Sequence, residues 1–198
     1  MRPIDLTDFA EKFAANDDPW RTYSDRDEAV KRTAILHALG PGPLGRVLEL
    51  GSGNGSNSRA IAARALRLDA TEGTAEGTIL TADAIAGRRR ARAIQLALPA
   101  RLPRREYDAI VIAELLYYLP PQAMKSVALR VAQALRSGGR LVLAHHRIDY
   151  YDFVQHAETI QQRFLDLTGL SWRTDTMRRK RRWHVIVARL VCQSHPGG

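Results

Sequence analysis

A single cysteine, Cys192, stands in the whole chain. No intramolecular disulfide can form and no cysteine-cluster metal site can be built. We expect no bound metal and read Cys192, in an apolar stretch, as a packing residue. Long apolar runs are missing too: nothing approaches the ~20 consecutive apolar residues of a membrane-spanning helix. The opening "MRPIDLTDFAEKF" carries acids where a secretory signal needs a basic stretch and then an apolar one. A soluble, cytoplasmic protein with no membrane partner is the expectation. Lysine is scarce, four against 26 arginines, in a chain of net charge +9. An arginine- and alanine-rich composition also follows from GC-rich coding, so the charge is weak support for a nucleic-acid partner. Internal repeats and low-complexity segments are absent.

What is present is enough for one sizeable core: 198 residues, 45% of them hydrophobic, with no room for a second large domain. Leu6, Phe9, Phe13 and Ala14 share helical spacing over 5–15, and a second amphipathic helix is predicted at 25–39, ended by "GPGPLG". From residue 46, strand-length apolar runs alternate with helices. Strands are predicted at 46–50, 66–72, 91–96, 107–113 and 140–146, and helices at 55–65, 74–87, 121–136 and 153–168. Such alternation builds a parallel sheet covered by helices on both faces. The end differs: "LSWRTDTMRR" and "WHVIVARLV" read as two strands joined by a basic turn, which must pair antiparallel.

The first of those strands runs into "VLELGSGNGSNS", residues 47–58. Glycines after the first strand of such a sheet let the backbone turn tightly and approach a ligand lying over the carboxyl ends of the strands. The spacing E-x-G-x-G-x-G, through Glu49, Gly51, Gly53 and Gly55, departs from the dinucleotide fingerprint, which wants its last glycine where Ser56 stands. An acid about 20 residues on can hold a ribose, and Glu72 ends the second strand at that distance. Asp69 is its rival. A chain this short, ending in an antiparallel pair, suits S-adenosylmethionine better than NAD.

The segments "NDDPW", "EAVK" (Glu28 to Lys31), "VLELGSGNG", "EYDAIVIAELLYYLP", "LRSGGRLVLAHHR" and "YYDFVQHAETI" resemble the class I S-adenosylmethionine-dependent methyltransferases, and more closely the nodulation protein S (NodS)-like group. The resemblance implies an α/β, Rossmann-like seven-stranded sheet, mostly parallel with the last strand antiparallel. It also implies one domain over 1–198, in which 1–40 cap the cofactor site and 41–198 form the core. S-adenosylmethionine would be the methyl donor, S-adenosylhomocysteine the product, and the acceptor a small molecule, an amino sugar amine in the namesake. Expected around the cofactor are Trp20, Glu49, Gly51, Ser52, Gly53, Gly55, Glu72 with Gly73, Ala97 with Leu98, and Glu114 with Leu115. Three departures bear on the ligands: Ala97 replaces an acid frequent near the adenine amine, Glu72 replaces an aspartate, and Gln161 and His146 replace a histidine and a tryptophan.

Methyl transfer from a sulfonium is an in-line displacement, governed by positioning and exclusion of water. An amine or hydroxyl acceptor must also lose a proton. Glu114 and His145, at the carboxyl ends of the two central strands, are the candidates to assist, with Tyr118 beside the methyl group. Tyr117, His146 and Asp149 are candidates for binding the acceptor. His145 and His146 are adjacent on a strand, so only one can face the site. Lys31 is a candidate partner for the cofactor's carboxylate. The clusters "RRRAR" (88–92) and "RRKRR" (178–182) lack the interleaved aromatics of single-strand binders, which argues against a nucleic-acid substrate. An RNA methyltransferase and a non-catalytic cofactor-binding protein are the alternatives, and either a monomer or a homodimer fits.

Overall fold

The computed structural model describes residues 2–191, so Cys192 lies outside the described residues. Helix α1 (Leu6–Ala15) starts at a capping box in which Asp5 accepts from the backbone N–H of Asp8 and the Asp8 carboxylate accepts from that of Asp5. Helix α2 (Arg26–Leu39) is capped by Asp25 and ends at Gly40, whose φ of +90° turns the chain toward the sheet. Then follow β1 (Leu44–Leu50), α3 (Ser56–Ala62), β2 (Ala65–Glu72), α4 (Ala75–Ala84), β3 (Ala91–Gln95), β4 (Tyr107–Ala113), a 3₁₀ turn (Leu116–Tyr118), α5 (Pro121–Ala134), β5 (Leu135–His146), α6 (Ile160–Leu167), β6 (Trp172–Arg179) and β7 (Trp183–Leu190).

The seven strands lie in the order β3-β2-β1-β4-β5-β7-β6. The first five are parallel. Strand β7 is antiparallel to both β5 and β6, because only Lys180, Arg181 and Arg182 connect it to β6 and no crossover helix fits between them. The expected sheet, mostly parallel with the last strand reversed, is therefore the one observed.

Alternation along the strands divides the core in two. Leu48, Leu50, Ile110, Ile112, Leu141 and Leu143 pack with Val127, Val131 and Phe164 of α5 and α6. Their neighbours Val47, Val111, Val142, Val185 and Val187 pack on the other face with Ile35, Leu39 and Ile61 of α2 and α3. Helices thus cover both faces. Among the described residues no helix is long and apolar enough to cross a membrane.

Most boundaries fall within three residues of expectation, and two differ by more. Strand β5 begins at Leu135, five residues before the apolar run. The helix predicted over 153–168 forms only at Ile160–Leu167. The preceding segment is irregular because its polar groups have other partners: the N–H groups of Val154 and Gln155 both donate to the Tyr117 carbonyl, at 2.9 and 3.0 Å, and Asp149 accepts from the Ala157 N–H at 2.6 Å.

Candidate active site

Over the carboxyl ends of the central strands, roofed by the N-terminal segment, lies a cleft of about 940 Å³. That is at the upper end of the ~300–1,000 Å³ common for small-molecule sites and leaves room for two ligands side by side. A shallower hollow of about 300 Å³ between α4 and β3 is lined by alanines, Ile85, Gly87 and arginines, and holds no acid, histidine or hydroxyl.

The glycine loop forms one end of the cleft. Gly51, Gly53 and Gly55 adopt φ of +69°, +58° and +79°, a region where an L side chain is strained. Their surroundings differ. A Cβ at Gly55 would lie 2.6 Å from the Ala84 Cβ and 2.9 Å from the Thr81 Cα, whereas one at Gly53 would meet only the Phe13 ring, at 3.9 Å. Gly55 therefore lets the loop pack on α4 and does not line the cleft, and Gly53 leaves backbone open toward a ligand. The Ser52 and Thr81 hydroxyls, 2.9 Å apart, pin the loop. Asn54, which the sequence did not single out, ties it to the N-terminal segment by donating to the Asp17 carbonyl and the Asp18 carboxylate, each at 3.0 Å.

Glu72 reaches this loop from the end of β2: its Oε2 accepts from the Gly53 N–H at 2.9 Å and its Oε1 from the Thr74 N–H at 3.2 Å. Burial pushes its carboxyl above the ordinary range, against the backbone hydrogen bond from Gly53. Its rival Asp69 is committed elsewhere, accepting from Arg92 (2.6 Å), Arg104 (2.9 Å) and the Tyr107 hydroxyl (2.9 Å). Glu49 sits behind the cleft surface. Its Oε2 accepts from the Ser58 hydroxyl at 2.5 Å, its Oε1 has no partner, and burial pushes the carboxyl up to about 7. Leu96 and Leu98 line the cleft and Ala97 does not. An open glycine backbone, a carboxylate beside it, apolar side chains and an unpartnered buried carboxylate oxygen fit a nucleoside bearing a charged amino-acid tail.

Aromatic rings form the roof. Phe9 lies 5.6 Å from Trp20 and 5.0 Å from Tyr118, and Phe13 lies 5.4 Å from Trp20. Leu6 covers Gly73, within 2.7 Å of where a Cβ would stand. Phe9 and Phe13 were legible only as an apolar helix face. Burial, then the nearby Asp152 and Glu114 carboxylates, pushes the Tyr118 hydroxyl far above its ordinary range, so it can donate but cannot act as a base.

The opposite end of the cleft is organised by Glu114, at the end of β4 with φ +52°. Its Oε1 lies 2.5 Å from Lys31 Nζ, which also pairs with Glu28 at 2.7 Å. Lys31 thus bridges two carboxylates of this protein at the cleft wall. Glu114 Oε2 accepts a short hydrogen bond from the Tyr117 hydroxyl and lies 3.7 Å from His146 Nε2. Burial alone would raise the Glu114 carboxyl, but Lys31, followed by His146 and His145, holds it below the usual range.

His145 does not face the cleft. It is 1% exposed, its Nε2 accepts from the Leu116 N–H at 3.3 Å, and burial lowers its pKa to about 4. Strand alternation turns it into the core and presents His146 instead. Asp149 is also off the cleft, pairing with His156 at 2.6 Å on the surface.

The architecture is similar to solved methyltransferase structures. NodS N-methyltransferase of Bradyrhizobium japonicum WM9, in complex with S-adenosylhomocysteine, superposes with a TM-score of 0.80 at 22% identity, over 93% of this chain and 97% of that one. DhpI, in complex with SAH, matches at TM-score 0.73 and 20% identity, over 95% and 96% of the two chains. A SAM-dependent methyltransferase from Leishmania major matches at 0.75 and 17%, over 93% and 82%. The fold is the Rossmann-like fold of these methyltransferases. The family model for nodulation protein S (NodS) matches residues 3–179, and the chain belongs to that family.

Proposed function

We propose that this protein methylates a nitrogen or oxygen of a small molecule seated between Glu114, His146 and Tyr117. One juxtaposition carries this reading: a single cleft holds the open glycine loop with Glu72 at one end and an ionised carboxylate beside a histidine at the other. When bound, S-adenosylmethionine supplies an electrophilic methyl group on sulfur. The Gly51–Gly53 backbone and Glu72 would hold its nucleoside, Glu72 turning its oxygens from the loop N–H groups to the ribose hydroxyls. Phe9, Phe13, Trp20 and Tyr118 exclude water, which strengthens every polar contact beneath them.

His146 is suited to take the acceptor's proton. Its Nδ1 faces the Arg182 carbonyl at 3.2 Å, a geometry that places the ring proton on Nδ1 and leaves Nε2 as the acceptor. Glu114, 3.7 Å from that Nε2, attracts a cationic amine or orients a hydroxyl, and stabilises the imidazolium after proton transfer. We take the protein to act in the cytoplasm on a small, soluble acceptor.

Calorimetry with S-adenosylhomocysteine tests the first half. Saturable binding is expected, weakened by about 1–2 kcal/mol in Glu72→Ala, the scale of lost hydrogen bonds to a charged group. Absence of binding overturns the assignment. Methyl transfer to a panel of small amines and alcohols, reduced in His146→Gln at unchanged affinity for adenosylhomocysteine, tests the second half. Turnover equal to wild type removes His146 from the mechanism.

A further inference from the structure

The acceptor end of the cleft opens beside the β6–β7 turn, where Arg178, Arg179, Lys180, Arg181 and Arg182 follow one another. Arg147 lies across from them, its N–H donating to the Arg182 carbonyl at 2.8 Å. Arg182 itself lines the cleft. Some arginines elsewhere are matched by acids, Arg92 and Arg104 with Asp69, Arg136 with Glu106 and Asp108, Arg189 with Asp175, and others are not; what sets this turn apart is that Arg182 both lacks such a partner and lines the cleft. Among the described residues no carboxylate lies within 4.0 Å of the guanidinium of Arg147, Arg178, Arg179, Arg181 or Arg182.

The partners these arginines do have are neutral. Arg182 Nη2 donates to the Tyr150 hydroxyl, and Arg147 Nη1 donates to the Lys180 carbonyl at 3.2 Å. The nearest acids are engaged: Asp25 caps α2, accepting from the Asp27 N–H at 2.6 Å, and Asp27 accepts from Trp183 Nε1 at 3.1 Å while facing Lys180 Nζ at 3.8 Å. The Tyr150 ring packs edge-on against His146, centroids 5.1 Å apart. One aromatic ring therefore tethers a cation with no carboxylate in ion-pair contact beside the histidine assigned above as the base.

We propose, on the reading of this cleft as a methyltransferase site, that Arg182 anchors an anion subsite and that the acceptor carries a phosphate-type oxyanion away from its methylated atom. A guanidinium held by a neutral hydroxyl keeps its full charge and spare N–H donors for a planar, two-point grip on an oxyanion. The neighbouring cations raise the potential at the mouth and draw such a molecule in. A doubly charged group suits Arg182, with further arginines along the same turn, better than a single carboxylate does. A nucleic-acid strand suits them less: Trp183, the aromatic next to the cluster in sequence, is 1% exposed and cannot stack on a base, and the Tyr150 ring is packed against His146 and Phe153.

Calorimetry on protein saturated with S-adenosylhomocysteine, comparing glucosamine 6-phosphate with glucosamine at one ionic strength, tests the proposal. The phosphorylated probe is expected to bind about tenfold tighter, one good charge-assisted contact. Arg182→Gln should remove that preference while keeping the thermal midpoint and the adenosylhomocysteine affinity. Arg89→Gln, which removes the same charge from the other basic cluster, should preserve it. Equal affinities, no binding of the phosphorylated probe, or a preference that survives Arg182→Gln overturns the subsite. So does displacement of the phosphorylated probe by a single-stranded RNA oligonucleotide. If adenosylhomocysteine itself fails to bind, the methyltransferase reading falls; if it binds normally and the preference is missing, only the anion subsite falls.

Discussion

Lys31 Nζ lies 2.5 Å from Glu114 Oε1 although the lysine side chain is only 3% exposed. That contact joins α2 to the end of β4 and keeps the carboxylate ionised where the acceptor would sit. Lys31→Met leaves Glu114 and Glu28 without their cation. It should destabilise the protein by about 2–3 kcal/mol, below the value for a fully buried pair because Glu114 is 27% exposed. The acid limb of the pH–rate profile should also move upward, since burial of Glu114 then loses its largest opposing charge and only His146 and His145 remain against it. Urea unfolding and the pH profile measure the two effects; an unmoved limb would separate Lys31 from the ionisation of Glu114.

Gly53 and Gly55 share a left-handed backbone and should fail in different ways. Gly53→Val should cost about 1–2 kcal/mol for its backbone conformation, keep the fold, and lose S-adenosylhomocysteine binding, because the new side chain projects toward the ligand. Gly55→Val drives atoms into Ala84 and Thr81 and should lower the thermal midpoint much further. Circular dichroism melts paired with calorimetry check both. Normal affinity in Gly53→Val would show that the ligand does not approach the loop there.

The two adjacent histidines should separate structure from chemistry. His145→Ala leaves the Leu116 N–H unpaired in the core and should cost about 2–3 kcal/mol. Wild-type His145 is neutral at neutral pH, with its pKa lowered from 6.5 to about 4 by burial. Its stabilising contribution is present above pH 6.5 and lost as pH falls toward 4, so acid should destabilise wild type more than His145→Ala. His146→Gln should unfold like wild type. Denaturation of both variants at pH 5 and pH 8 decides.

Glu49 pulls stability the other way. Its folded carboxyl is raised from 4.5 to about 7 by burial, so the stability contributed by its protonated form is complete below 4.5 and lost as pH rises through 7. Glu49→Gln, neutral at every pH, should gain on wild type by up to about 3 kcal/mol between pH 4.5 and 8. Subtracting the two unfolding curves cancels the His145 contribution; a pH-independent difference would mean that Glu49 is ionised throughout.

Much of the site was legible because it depends on local order along the chain. The glycine loop follows an apolar strand at a fixed spacing, and a carboxylate placed 17 to 21 residues later must lie on the next strand, beside it. The choice of Glu72 over Asp69 followed from which of them ends the strand. The choice between His145 and His146 did not, because period-two alternation says that the two side chains point oppositely without saying which one meets the cleft. Asn54 and Arg182 as site residues, and Glu114 as the partner of Lys31, were obscure for a related reason: these contacts join positions 32 to 83 apart, Tyr150 with Arg182, Asp17 with Asn54 and Lys31 with Glu114, and leave no periodic trace.

Strand and helix order, the reversed final strand and the ligand-facing loop were therefore written into the amino-acid pattern, since apolar periodicity and turn chemistry act between near neighbours. Tertiary structure alone decided which histidine faces the cleft, which carboxylates a buried lysine joins, and which arginines are left without an acid. Those depend on how the strands are ordered side by side and on which faces α1 and α2 cover, and both are set by packing between segments far apart in the chain.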